Sequence, residues 1–88
     1  MSMPRYGDHI SVDRMGGLYS HHGIYVGKGK VIHYDNDLGI VGKMLKIDDP
    51  TVRKVSFKEF LDGSDEYQVH LYDKSGNETK VITKRYSD

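Results

Sequence analysis

His21 and His33 are the side chains of this sequence best placed to do chemistry together. They stand twelve positions apart, in the segments Tyr19-Ser20-His21-His22-Gly23-Ile24-Tyr25-Val26-Gly27 and Lys30-Val31-Ile32-His33-Tyr34. Imidazole titrates near neutrality, so such a pair can donate, accept or relay a proton, or hold a polar ligand. A histidine acting as a base needs a nucleophile within about 2.6–3.2 Å. The chain has no cysteine, which excludes a thiol nucleophile, disulfides and thiolate metal sites. Hydroxyls are poor substitutes: on a strand, Ser20 points away from the face that His21 occupies, and Ser56 reads as a helix cap.

The other chemical side chains carry weaker signals. His9 and His70 read as residues on strand surfaces. Zinc binding by His9, His21 and His33 is disfavoured because no compact ligand spacing joins them, so no metal and no cofactor are expected. Gly27-Lys28-Gly29 lacks the spacing of a phosphate loop and reads as a turn. Tyr19, Tyr25 and Tyr34 flank the two histidines and join them as candidate ligand-binding residues, although tyrosines on strands more often pack.

Strands must position this pair. Asp8 to Asp13 alternates polar and apolar residues and ends at Gly16-Gly17. The two histidine segments form a hairpin around Lys28, in which residues whose numbers sum to about 56 face each other, placing His33 opposite Gly23 and near His21 and His22. Asp35-Asn36-Asp37 terminates the second arm. Leu38 to Gly42 and Met44 to Ile47 suggest a further strand or extended loop before Asp48-Asp49-Pro50. Thr51 to Val55 reads as a short strand, and Ser56-Phe57-Lys58-Glu59 matches a capping box that opens a helix over Phe57 to Leu61, stopped at Asp62-Gly63. Glu66 to Tyr72 and Thr79 to Thr83 form a last hairpin about Ser75-Gly76-Asn77.

Composition agrees with a sheet. The chain has 88 residues, enough for one domain, here residues 1–88, with no repeat or linker. It has no alanine but seven tyrosines, eight valines and six isoleucines, which favours strands over long helices. Thirteen basic residues balance thirteen acidic ones, so general nucleic-acid binding is disfavoured. No apolar run approaches the roughly 18 residues of a membrane span, and Met1 to Ile10 lacks the features of a signal peptide; a cytoplasmic location is expected.

The two histidine segments, with Gly7-Asp8-His9-Ile10 upstream and Val55-Ser56-Phe57-Lys58-Glu59-Phe60 downstream, resemble the lecithin:retinol acyltransferase-like family of circularly permuted NlpC-type thiol enzymes. The likeness runs over residues 6–72. It implies that His21 occupies the position of the family's base, His33 that of the residue orienting it, and His22 an outward-facing or packing position that the family usually fills with an aromatic or another large residue. In the family, a cysteine farther along the chain attacks an ester, thioester or amide carbonyl; this sequence has no residue to take that part.

The expected fold is therefore α+β: a small antiparallel sheet or partly closed barrel of about five or six strands with one short helix, the two-histidine half of the family fold. An apolar sheet face left uncovered would favour a protein partner or self-association. The expected function is a cysteine-less, non-acylating module that binds a host or regulatory protein or a small ligand, such as an inhibitor carried by a mobile element. The alternatives are an enzyme using His21 and His33 as acid and base on a phosphodiester or nucleotide, and half of a split thiol acyltransferase or hydrolase.

Overall fold

The computed structural model describes residues 3–35 and 51–86. Among the described residues, strands β1 (His9–Arg14), β2 (Tyr19–Tyr25), β3 (Lys30–Asp35), β4 (Thr51–Ser56), β5 (Glu66–Tyr72) and β6 (Glu78–Arg85) accompany one short α-helix, α1 (Phe57–Leu61), and a 3-10 turn at Met15–Gly17. They form a single sheet in the order β4-β3-β2-β1-β5-β6, antiparallel at every pairing. Of the two forms expected, the open sheet is the one found: among the described residues β4 and β6 are the edges and do not pair to close a barrel. The further strand or loop expected over Leu38 to Gly42 and Met44 to Ile47 lies outside the described residues.

Local chemistry sets the β2–β3 register. Lys30 N donates to Gly27 O at 3.0 Å, and the two residues between, Lys28 and Gly29, have φ of 53° and 71°. Paired positive φ values are the pattern of a type I′ turn, whose twist suits an antiparallel hairpin. Gly27, also at positive φ (83°), is an extra residue on the β2 side, since Val26 N donates to Lys30 O at 2.9 Å; the register therefore places Gly23 opposite His33, Ile24 opposite Ile32 and Tyr25 opposite Val31, as the sequence predicts. The turn is also tied to the fold: Gly29 N donates to Tyr25 Oη at 2.8 Å, and Phe57 N donates to Gly29 O at 2.7 Å.

Helix α1 begins at the expected cap, where Ser56 Oγ accepts from Glu59 N at 3.0 Å. Its end departs slightly from expectation. The left-handed turn starts at Asp62, with φ 48°, one residue before the glycine foreseen for it, and continues through Gly63.

The helix covers one sheet face. Ile10, Val12, Tyr25, Val31, Val55, Tyr67 and Val69 are buried with Phe57, Phe60 and Leu61 in one core, and Tyr86 packs at its margin. Each large side chain so buried contributes about 1.5–3 kcal/mol of transfer free energy, which is why a five-residue helix holds its place. Along β2 the alternation puts His21, Gly23 and Tyr25 on this covered face, and His22 and Ile24 on the other. Ile24, Ile32 and Val52 line that other face and are exposed, Val52 by 63%. Among the described residues, no helix is long and apolar enough to cross a membrane.

Candidate functional site

His21 and His33 meet on the helix-covered face. His33 is directly opposite Gly23, and His21 lies two residues along β2 from Gly23, so the imidazoles are diagonal neighbours. His21 Nε2 and His33 Nδ1 are 2.8 Å apart and share a hydrogen bond whose donor depends on the tautomer. The ring centroids are 4.5 Å apart, inclined at 66°. Phe60 of α1 covers both, at 5.2 Å from His21 and 6.0 Å from His33, leaving His33 only 6% exposed.

Gly23 makes that approach possible. A Cβ there would stand 2.7 Å from Val31 Cγ1 and 3.0 Å from Phe60 Cε1. Its side-chain-free position is thus the bed for the Phe60 ring. Arg14 secures the helix from the other end, donating to Phe60 O at 2.6 Å and Leu61 O at 2.9 Å. These carbonyls close a helix C-terminus, where a cation is favoured.

The resulting cleft is polar. Tyr19, Arg53, Glu59 and Ser64 line it around the two histidines. Tyr19 is 52% exposed at its rim. Tyr25 instead sits in the core against Phe57, with its hydroxyl held by Gly29 N. The Tyr34 side chain lies outside the described residues. The serines are engaged elsewhere: Ser20 Oγ donates to Asp13 Oδ1, Ser56 caps α1, and Ser64 Oγ donates to Glu66 O. With no cysteine in the chain, the paired imidazoles stand in a cleft to which the chain brings no thiol.

The remaining histidines do more than the sequence reading assigned to them. His9, His22 and His70 converge on the opposite sheet face. His9 and His70 face each other directly across β1 and β5, with rings stacked at 4.2 Å. His22 adds a contact of 2.8 Å from its Nδ1 to His9 Nε2. His70 Nδ1 donates to Glu78 Oε1 at 2.6 Å, and His9 Nδ1 meets Tyr72 Oη at 2.6 Å. His9 is held below the ordinary imidazole range, first by desolvation and then by the charges of His70 and His22. His22 is lowered for the same first reason and by His70. Glu78 opposes both shifts. His9 therefore stands on the far side of the sheet from His21 and His33, and shares no site with them. The signal for this cluster is period-two alternation, which separates His21 from His22, but the meeting of His9 with His70 depends on a pairing between strands far apart in sequence.

A family model described as lecithin retinol acyltransferase matches residues 2–86 of the chain. No curated protein and no solved structure matches it.

Proposed function

Because the chain belongs to the lecithin retinol acyltransferase family yet carries no cysteine, we propose that it is a non-acylating binding module. Its His21–His33 pair holds an oxygen of a ligand or partner group where a thiol-bearing relative would activate sulfur. The observation that carries this reading is the 2.8 Å contact between the two imidazoles in a polar cleft under Phe60. One ring supports the other, and such a unit can offer a hydrogen bond to a ligand oxygen without a covalent step. A carbonyl, carboxylate or phosphate oxygen is the matching group, because each accepts the hydrogen bond that an imidazole N–H offers. Host or regulatory proteins presenting such a group fall within this reading, as does a small molecule.

A second reading rests on Arg53, which lines the same cleft as the two histidines. Two imidazoles and a guanidinium are the groups that acid–base cleavage of a phosphodiester employs.

One experiment separates the two. Octanoate and inorganic phosphate are titrated against the protein while the ring resonances of its histidines are followed by NMR. Turnover of p-nitrophenyl butyrate and bis(p-nitrophenyl) phosphate is measured in parallel. The binding reading expects a saturable change at His21 and His33 with at least one probe, absent in His21→Gln, and no His21-dependent release of nitrophenolate. Release that disappears in His21→Gln would establish the enzyme instead. Failure of both probes to move either ring contradicts the binding reading.

A further inference from the structure

We propose that His9, His22 and His70 form a binding site for a divalent transition-metal ion of the zinc class, on the sheet face opposite the His21–His33 cleft. Three strands each supply one imidazole: His9 from β1, His22 from β2 and His70 from β5. One ring nitrogen from each lies within 4.8 Å of the other two. Tetrahedral zinc with bonds of about 2.0–2.1 Å places its ligand nitrogens roughly 3.3 Å apart. The 2.8 Å contact between His9 Nε2 and His22 Nδ1 has to open slightly and the widest spacing to close, both of which side-chain rotation accomplishes.

The proton arrangement suits ligation. His70 donates Nδ1–H to Glu78, which leaves Nε2 as the ligating atom; without metal that nitrogen accepts from Ser11 Oγ at 2.7 Å, a hydrogen bond that the ion displaces. With the His9 proton on Nδ1, toward Tyr72 Oη, His9 Nε2 presents its lone pair toward His22. A carboxylate behind a ligating histidine fixes its tautomer and orientation, the outer-shell arrangement of many metal sites. Imidazole ligands without thiolate suit zinc, cobalt(II) or nickel(II), and three of them leave a fourth position for water or a donor from a bound molecule. Ile24, Ile32 and Val52 line the same pocket as the three rings, so that position opens onto apolar surface.

The test uses tag-free full-length protein, freed of metal with chelator and then dialysed. Cobalt(II) is followed by its visible absorption, and zinc by calorimetry and by its effect on Tm. The expected result is 1:1 binding with visible bands of low coordination number and a rise in Tm, since a ligand bound only to the folded state stabilises it. His22→Gln, at an exposed position, should weaken affinity at least 100-fold while leaving the circular dichroism spectrum unchanged. Glu78→Gln should weaken it by about 10–100-fold through the orientation of His70. The site is refuted if no saturable 1:1 binding occurs, if His22→Gln binds as tightly as the parent, or if binding is lost in His21→Gln and kept in His22→Gln.

Discussion

Gly23 lies directly across the β2–β3 ladder from His33, and a methyl group on Gly23 would come to 3.0 Å from the edge of the Phe60 ring that seals the histidine pair. The hydrogen-bonded geometry of the two imidazoles therefore depends on a residue that has no side chain. Gly23→Ala should destabilise the fold by about 1–3 kcal/mol, as overpacking of a filled core does. Denaturant unfolding measures it; a variant as stable as the parent would show that Phe60 is not seated as described.

Arg14 predicts a different kind of loss. Its two hydrogen bonds to Phe60 O and Leu61 O clamp the C-terminal end of α1 onto the sheet. Arg14→Ala should cost about 1–3 kcal/mol, the range for charged hydrogen bonds whose acceptors are left unsatisfied. Amide exchange should also quicken in α1 before it does in β1.

The Tyr25 hydroxyl makes one accepted hydrogen bond, from Gly29 N, inside the core. Tyr25→Phe should lower stability by about 1–2 kcal/mol, because the amide of Gly29 loses its partner. Thermal unfolding checks this, and an unchanged Tm would contradict it.

Acid should weaken the metal-free protein. The folded His9 and His22 titrate below the ordinary imidazole value of 6.5. The unfolded chain then binds more protons, so their contribution is complete above that value and is lost as pH falls from it toward the folded pKa values. His70, Glu78, Tyr72 and Asp8 face or adjoin this cluster, and Glu78 moderates the effect. In chelator, Tm should fall between about pH 7 and pH 5, and the His9→Gln/His22→Gln double variant should flatten that dependence. A Tm that rises over this interval would overturn the assignment.

Much of this architecture was legible because it is local. The turn residues around Lys28 fix the register that puts His33 opposite Gly23, and Ser56 announces α1 three residues before Glu59. The sheet was legible in its alternation, but its closure was not: whether β4 and β6 meet depends on twist and packing across the whole sheet. The His9–His70 contact was hidden for a related reason, since β5 returns beside β1 only after β2, β3, β4 and α1 have intervened. Tyr25 shows a further limit. Period two assigns it to the same face as His21, yet only the position of α1 decides that it is sealed in the core while Tyr19 stays at the rim.

In the proposed function, His21 and His33 act as one hydrogen-bonded unit that engages an oxygen-bearing group without covalent chemistry. The most direct test is a trans-hydrogen-bond nitrogen–nitrogen coupling measured by NMR on protein with labelled histidine rings, repeated with octanoate or inorganic phosphate. A resolved coupling between His21 Nε2 and His33 Nδ1 is expected, with a joint response of both rings to at least one of the two probes. Two rings that show no coupling and respond independently, or not at all, would contradict it.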